Sequence, residues 1–428
     1  MTAEAIVMNR SAIALAADSA VTISGPRAFK TFDTANKLFE LIKGSNVGVM
    51  VYNNMILNGT PWETIIKAYR GEHSNFSAAH VSDYLDHFLQ FVADSQYVLP
   101  PSDDEHGALT IAFDGLVAVA EQLQARYAEY VTQQGKIIKT KLATVLRKIC
   151  DDWEQEIDST DDTPAAQNLP PRALKSAFND ALKVQALEIF QSFDLPSSLI
   201  NRLTNLSLRS LPKEGPYESE SGLVFAGFGA QQYFPSFSET AVTARLLGQT
   251  VYRTPDLVEI SADEPGYLRT LISYHWGEWV NRELPRELVK KFPIDANMTK
   301  AVRNKLVREV VKVADQRLGD FVDFMNAYEY AEFIQPMFDS VGALPKDELG
   351  LLAESLVNIT SLKQRMSVHQ SNTVGGAIDV AVISIGDGFV WINRKHYFDD
   401  KFNPTWNLTH GAKITTREYR GKDENDQA

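Results

Sequence analysis

The sequence predicts a layered α/β protein in which two β-sheets face each other and helices cover their outer surfaces. Short apolar segments typical of strands occupy about the first 60 residues, and similar segments return near residues 221 and 375. Segments with the 3.6-residue period of helices lie between these groups. Because strands from both ends of the chain are expected to share sheets, the first helical block reads as an insertion.

Four apolar segments predict the first strands: AIVMN (5–9), AIALAADSAVT (12–22), KLFELI (37–42) and VGVMVYN (47–53). We expect the first two to form a hairpin with Asn9-Arg10-Ser11 as a three-residue turn, which places Thr2 opposite Asp18. Alanines at positions 12, 14 and 16 share the face of Asp18 in this register, so we expect another sheet to approach closely there.

Helical periodicity follows in four segments, and strands then return. The helical segments are 61–72, 77–95, 117–158, which fits one long helix or two, and 172–193. Strands are predicted within 221–237 and 240–254, and three or four helices within about 265–366. The last two strands, 375–385 and 389–397, are joined by the hairpin signal Gly386-Asp387-Gly388.

These elements divide the chain into four parts. Residues 1–73 form the first part of the layered domain, and residues 74–218 form a helical insertion. Residues 219–411 complete the layered domain, and residues 412–428 form a polar tail that we expect to fray.

The composition argues against several classes of protein. A net charge of −13 argues against binding to nucleic acid, which requires a basic face. Cys150 is the only cysteine, so no disulfide forms within the chain, as is usual in a reducing compartment. The sequence contains no run of about 18 apolar residues. We therefore expect a cytoplasmic protein with no membrane span.

Thr2 and Asp18 are the first candidates for a catalytic site. Removal of Met1, which cells carry out when the second residue is small, would give Thr2 a free α-amine beside its hydroxyl. An α-amine has a pKa of about 7.7–8.0, so it can accept the hydroxyl proton near neutral pH. A nearby lysine ammonium would keep the pKa of this amine low, and an aspartate would hold the lysine. These residue types predict an activated threonine nucleophile.

The first 60 or so residues resemble a proteasome β-subunit of the N-terminal nucleophile (Ntn) hydrolase superfamily. That family has threonine at the mature N-terminus, an AxDxxxT strand end sixteen residues later and a lysine opening a K-[IL]-F strand. The corresponding residues are Thr2, then AADSAVT with Asp18 and Thr22, and NKLFEL with Lys37. The segments LVFAGFG and TVGGAIDVAVISIGDGFVWI resemble the central strand and the late Gly-Gly hairpin of the family.

This resemblance implies a four-layer αββα sandwich and a bacterial proteasome-like relative that carries a large helical insertion. It implies hydrolysis of amide bonds, with peptide bonds as the expected class, by Thr2 with Asp18 and Lys37 in support. The Thr22 backbone would pair with an extended peptide or protein substrate. The resemblance also implies self-assembly as a ring or an open spiral, and no metal or cofactor.

The chain departs from the family pattern at three places. The spacing from Asp18 to Lys37 is three residues longer than usual, so Lys30 is a rival for the ammonium. Asn53 or Asn54 stands where the family has its oxyanion-hole glycine, and Asn tolerates left-handed backbone. Ser371 and Val374 stand near the late Gly-Gly turn, where active subunits carry supporting Asp and Ser residues.

Two other functions therefore stay open. One is a catalytically inactive, proteasome-like scaffold or assembly subunit that has kept the fold, which the departures at Asn53 and Val374 favour. The other is a small-molecule amidase of the same superfamily.

Overall fold

The computed structural model describes residues 3–25, 28–134, 139–215, 217–261, 266–271, 335–366, 375–396, 398 and 403. Within these residues the protein is a mixed α+β structure with antiparallel sheets and helices. Thr2, Ser371, Val374 and the polar tail 412–428 lie outside the described residues.

The described strands and helices alternate in groups along the chain. The strands are β1 (Glu4–Asn9), β2 (Ala12–Ala17), β3 (Val21–Gly25), β4 (Ala28–Phe32), β5 (Leu38–Glu40), β6 (Val47–Asn53), β7 (Ile56–Leu57), β8 (Thr60–Pro61), β9 (Ser221–Gly227), β10 (Ser236–Leu246), β11 (Gln249–Tyr252), β12 (Asp256–Glu259), β13 (Gly266–Leu271), β14 (Asp379–Ser384) and β15 (Gly388–Asn393). The α-helices are α1 (Trp62–Glu72), α2 (Val81–Asp94), α3 (Asp104–Gln134), α4 (Lys139–Ser159), α5 (Pro171–Ile189), α6 (Ser197–Ser210), α7 (Gln335–Gly342) and α8 (Lys346–Met366).

Most predicted elements are present with shifted ends. The segment VGVMVYN is β6 over its whole length, and the long pattern over 117–158 belongs to two helices, α3 and α4. Helices were expected from about residue 265, but residues 266–271 form strand β13, because this segment pairs with β1 along its length. Residues 272–334 of that range lie outside the described residues.

Two antiparallel sheets form the frame of the structure. Sheet I has the strand order β13-β1-β2-β14-β15, and sheet II has the order β11-β10-β9-β6-β5, with β12 also pairing β10. Sheet I therefore joins the two ends of the chain, as predicted, because β2 lies between β1 and β14.

A shared apolar cluster fills the space between the two sheets. Sheet I contributes Ile6, Met8 and Leu15 among others, and sheet II contributes Met50 and Phe237 among others. The two sheets are in close contact at a glycine of β6. A Cβ atom at Gly48 would lie 2.8 Å from a ring carbon of Phe389 and 3.1 Å from Leu15, so a larger residue would force the sheets apart there.

Helices cover the outer faces of both sheets. The outer face of sheet II packs against α1 and α2 through residues such as Trp62 and Phe88. The outer face of sheet I packs against α7 and α8. The small residues Ala12, Ala14 and Ala16 lie in this second cluster, so the element that approaches them is a helix. The expectation that they face another sheet was wrong.

The remaining helices, α3 to α6, form a cluster of their own that includes the far ends of β10 and β11. A buried ion pair helps to connect this cluster to sheet II. Arg245 Nη1 of β10 lies 2.7 Å from Asp104 Oδ1 at the start of α3, and both side chains are almost fully buried. Burial raises the pKa of the Asp104 carboxyl, and Arg245 opposes this effect. Arg245 therefore ties the start of α3 to the sheet.

The register of the first hairpin differs from the predicted register by one residue. Glu4 pairs with Ala17 and Met8 with Ile13, so the turn contains only Arg10 and Ser11, and Ala3 lies next to Asp18. The reason is Asn9, which stays in the strand. Its Oδ1 accepts hydrogen bonds from the backbone N–H groups of Ser11 (2.9 Å) and Ala12 (3.3 Å) and closes the tighter turn.

Asn9 also holds the helical layer in place, which makes it a test of the hairpin. Its Nδ2 donates to the carbonyl oxygens of Val341 (3.1 Å) and Leu344 (2.8 Å), and the residue is 2% exposed. Asn9→Ala should lower the free energy of unfolding by about 2–3 kcal/mol, because buried carbonyl and N–H groups lose their partners. Chemical denaturation measures this loss. Ser11→Ala is the control and should change stability by about 0.5 kcal/mol or less; equal losses in the two variants would contradict this role of Asn9.

Candidate functional site

A buried ion pair connects the two sheets at the end of β2. Lys37 Nζ lies 2.5 Å from Asp18 Oδ1, and both side chains are 0% exposed. Asp18 directly follows β2 of sheet I, and Lys37 directly precedes β5 of sheet II. The ammonium that the structure brings to Asp18 is therefore that of Lys37; the side chain of its rival, Lys30, lies outside the described part of the chain.

The Asp18 carboxylate also accepts backbone hydrogen bonds from three segments. Oδ1 accepts from the N–H of Ala3 at 3.3 Å, and Oδ2 accepts from the N–H groups of Ala20 at 3.4 Å and Gly375 at 3.0 Å. Such bonds, together with the ammonium, stabilise a charge that has been removed from water. Asp18 thus fixes the start of β1 and the segment that leads into β14.

Lys37 is held in place by its own backbone. Its carbonyl oxygen accepts a hydrogen bond from the N–H of Val51 at 2.8 Å, so Lys37 is attached to β6. Strands rise about 3.3 Å per residue, so Asn53 at the end of β6 lies about 7 Å along the strand from Val51. The fold therefore brings the predicted residues Lys37 and Asn53 to the same end of sheet II.

The glycine pair near β14 packs closely against Ser19. The Ser19 N–H donates to the Gly375 carbonyl at 3.2 Å, and its hydroxyl donates to the Ala377 carbonyl. Gly376 has a φ of 79°, and a Cβ atom there would lie 2.9 Å from the Asp33 carbonyl oxygen. A side chain at Gly376 would therefore be strained as well as crowded. Gly375 and Ser19 were not among the predicted site residues, although the Gly-Gly signal was visible.

Thr2 lies outside the described residues, and its neighbour Ala3 marks the start of the described chain. Ala3 is joined to Asp18 in both directions: its N–H donates to Oδ1 at 3.3 Å, and its carbonyl accepts from the Asp18 N–H at 3.1 Å. The peptide N–H that links Thr2 to Ala3 is therefore bonded to the carboxylate that also binds Lys37.

Asn53 ends β6 with a left-handed backbone, at a φ of 64°. Its Nδ2 donates to the carbonyl oxygens of Glu220 at 2.8 Å and Glu218 at 3.3 Å, which fixes this turn against the segment before β9. Asn54 is held in the same way, since its Nδ2 donates to the Ser219 carbonyl at 2.8 Å. The side-chain amides of both asparagines are thus engaged in structural bonds.

Thr22 and Lys30 both belong to a small separate hairpin. Strand β3 pairs with β4, with Thr22 opposite Thr31 and Ile23 opposite Lys30. In the described residues this sheet has only these two strands, so the second backbone edge of β3 is not paired with another described strand. An unpaired strand edge is a template for pairing with an extended peptide.

Glu4 is a buried carboxyl group that the prediction of the site did not include. It is 1% exposed and stands on β1, in step with Ile6 and Met8 of the cluster between the sheets. Neither carboxyl oxygen has a hydrogen-bond partner among the described residues. Burial raises the pKa of Glu4 well above its usual range; Lys37 opposes this effect, whereas the charge of Asp18 adds to it. The sequence signal that could have identified Glu4 is a single acidic residue at an inward-facing position of the apolar strand EAIVM.

Two further properties of the described residues bear on function. Across the described ranges, no group of three or more His, Cys, Asp or Glu side chains could hold a metal ion. In the same part of the chain, every helix is too short or too polar to cross a bilayer.

Comparisons with known proteins identify no family. No protein-family model and no curated protein match the chain. The chain is similar to a solved structure of an Anbu (Gly-1) mutant from Hyphomicrobium sp. strain MC1, with 11% identity, a TM-score of 0.26 and 100% coverage of both chains. It is also similar to a structure of Anbu from the same strain, with 10% identity, a TM-score of 0.24 and coverage of 99% and 100%. Similarity at this level establishes no shared fold.

The buried pair can be tested by removing its cation. Lys37→Met should lower the free energy of unfolding by about 3–5 kcal/mol, because Asp18 is left as a buried, uncompensated charge. Urea denaturation measures the loss. The exposed pair of Lys67 with Glu63 provides the control, and Lys67→Met should cost about 0.5 kcal/mol or less.

A second substitution separates the charge from the packing of the lysine side chain. Adding Asp18→Asn to Lys37→Met removes the unpaired charge and should restore part of the lost stability. Equal effects of Lys37→Met and Lys67→Met, or a double variant that is no more stable than Lys37→Met, would contradict the buried pair.

Proposed function

We propose that the chain is a proteasome-like N-terminal threonine hydrolase that cleaves amide bonds, with peptide bonds as the expected class. The observation that carries the proposal is the buried pair of Asp18 and Lys37, bonded to the backbone of the residue that follows Thr2. The proposed fold is the four-layer αββα sandwich of the Ntn hydrolases. The helices packed on both outer faces of the paired sheets support it.

The energetics of the buried pair support a chemical role. Replacing a buried ion pair by apolar residues of similar volume is often neutral or stabilising, so such a pair is weak evidence of a purely structural function. Lys37 is fully buried and its partner Asp18 also binds the N–H of Ala3, an arrangement that suits a site that needs a fixed positive charge. The ammonium would lower the pKa of a nearby α-amine, because two like charges repel.

In the proposed reaction, Met1 is removed and the α-amine of Thr2 takes the proton of the Thr2 hydroxyl. The hydroxyl oxygen attacks the carbonyl carbon of the substrate amide, and the resulting tetrahedral intermediate carries a negative oxygen. When the C–N bond breaks, the amine of the substrate leaves with the proton held by the Thr2 amine. Water then hydrolyses the ester to Thr2 by the same steps and regenerates the hydroxyl.

Two other elements have proposed roles in this reaction. A backbone N–H near Asn53 stabilises the negative oxygen, a role supported by the left-handed turn at the end of β6. The Thr22 backbone pairs with the extended substrate, which the second edge of β3 supports. The division of the chain into 1–73, 74–218, 219–411 and a polar tail 412–428, and a cytoplasmic location, belong to the same proposal.

The nucleophile is tested by changing Thr2. Intact mass should show that Met1 is absent, and a peptide vinyl sulfone should add covalently to the peptide that begins with Thr2. Thr2→Ala should abolish peptide hydrolysis and adduct formation, whereas Thr2→Ser should keep part of both because hydroxyl and amine remain. Mass spectrometry and a fluorogenic peptide assay measure these outcomes.

The alternatives give different results in the same experiment. A protein that keeps Met1 and forms no adduct would favour the inactive scaffold. An adduct without hydrolysis of any peptide, together with turnover of small amides, would favour the amidase. Hydrolysis that persists in Thr2→Ala would place the chemistry elsewhere.

Self-assembly is part of the proposal, and the surface of α8 supports it. Four large apolar side chains are more than half exposed along this helix: Leu351, Ile359, Leu362 and Met366. Ile359, Leu362 and Met366 have i, i+3, i+7 spacing, so they share one face. A continuous exposed apolar face is typical of a subunit contact, and repeated contacts between identical chains give rings or spirals.

Two acidic substitutions test this contact. Ile359→Glu with Leu362→Glu should convert the assembly of the wild type into 47.8 kDa monomers, because charges cannot be buried in an apolar contact. Light scattering at micromolar concentration measures the mass. Val184→Glu, at a similarly exposed apolar position on α5, is the control and should leave the assembly intact. A wild type that is monomeric would refute self-assembly.

A further inference from the structure

Glu4 is held in the narrow space between the two sheets, next to the buried ion pair. Its strand partner is Ala17, the residue before Asp18, and its own neighbour Ala3 donates to the Asp18 carboxylate. Among the described residues, the ionisable groups that act on Glu4 come from three other elements: Asp18 after β2, Lys37 before β5 and Glu239 on β10. Glu4, which is two residues from Thr2 in the sequence, therefore lies close to the ion pair of Asp18 and Lys37.

The charges of Lys37 and of the carboxyl groups of Glu4, Asp18 and Glu239 do not balance if every carboxyl group is ionised. In the described part of the chain, Lys37 is the cation that acts on Glu4, and its ammonium already donates to Asp18 at 2.5 Å. Glu239 accepts a hydrogen bond from the Tyr52 hydroxyl. In the described residues neither oxygen of Glu4 meets a donor, although the residue is 1% exposed. An ionised carboxylate without hydrogen bonds or a cation of its own is not stable in such a place.

We propose that Glu4 is a positioning residue of the site: as a neutral acid it leaves the Lys37 ammonium to Asp18 alone. Within the ion pair, the Lys37 ammonium is then balanced by the Asp18 carboxylate without a competing charge from Glu4. This inference rests on the proposed function, in which the ammonium keeps the Thr2 amine unprotonated. An ionised Glu4 would compete for Lys37 and stabilise the protonated amine, which cannot act as a base.

Burial raises the pKa of Glu4, so the sign of the pH dependence follows. An acid whose pKa is higher in the folded than in the unfolded protein binds more protons when folded. Stability then falls as pH rises from the unfolded value, about 4.3, towards the folded value. Glu4→Gln cannot ionise. Its melting temperature should exceed that of the wild type by a margin that grows by about 1–2 °C per pH unit in this range.

The experiment compares wild type, Glu4→Gln and Glu4→Met with Glu63→Gln as the control. Glu63 is a partly exposed glutamate paired with Lys67. The melting temperature of Glu63→Gln should therefore show no gain over the wild type that grows with pH. Infrared difference spectra between wild type and Glu4→Gln should show the carbonyl band of a protonated carboxyl group at pH 7. Glu4→Met has no side-chain amide that needs hydrogen-bond partners. If Glu4→Gln folds poorly, the melting temperature of Glu4→Met should still exceed that of the wild type by a margin that grows with pH.

An ionised Glu4 that serves as a second counter-ion of Lys37 would give the opposite results. Glu4→Gln and Glu4→Met would then be less stable than the wild type at pH 7, and the protonated band would be absent, which would overturn the inference. The rate of vinyl sulfone addition to Thr2 separates this inference from the proposed function. Glu4→Gln should react faster than the wild type by a factor that grows as pH rises and Glu4 of the wild type ionises, a change that a structural role alone would not produce.

The two claims can fail separately. A protonated Glu4 with no adduct in any variant would refute the threonine hydrolase while leaving the neutral carboxyl in place. An adduct on Thr2 with an ionised Glu4, or an unchanged rate at high pH, would refute the positioning role alone.

Discussion

The contact between Asp18 and Lys37 is the constraint on which the arrangement of the site depends. Asp18 directly follows a strand of sheet I and Lys37 directly precedes a strand of sheet II, so their contact fixes how the ends of the two sheets meet. The same carboxylate binds backbone N–H groups of Ala3 and Gly375. One side chain therefore connects the start of the chain, the segment before β14 and the second sheet.

The cost of burying these charges determines which neighbours are permitted. A buried charge needs hydrogen bonds as well as a partner, and Asp18 accepts them from the backbone N–H groups of Ala3, Ala20 and Gly375. The bond from the Val51 N–H to the Lys37 carbonyl fixes the backbone of Lys37 beside β6, from which its ammonium reaches Asp18. A second ionised carboxylate would disturb this balance, which is why the state of Glu4 matters to the whole group.

The sequence predicted the order of the elements and the pairing of Asp18 with a lysine better than it predicted the register. The sequence spacing alone could not decide whether Lys37 or Lys30 pairs with Asp18, because that depends on how β5 pairs with β6. The hairpin register depended on one side chain, since Asn9 closes a two-residue turn with its own Oδ1. Strand β13 was read as the start of a helix, because its pairing with β1 is a long-range contact that local periodicity does not contain.

The corrected register changes how Asp18 can act in the proposed reaction. With Ala3 opposite Asp18, the carboxylate is bonded to the peptide N–H that joins Thr2 to Ala3. Asp18 would then influence Thr2 by two routes, through the backbone that it fixes and through the ammonium that it holds. Neither route requires a direct bond from Asp18 to the hydroxyl. In the proposed mechanism, the acceptor for the hydroxyl proton is the α-amine of Thr2 itself.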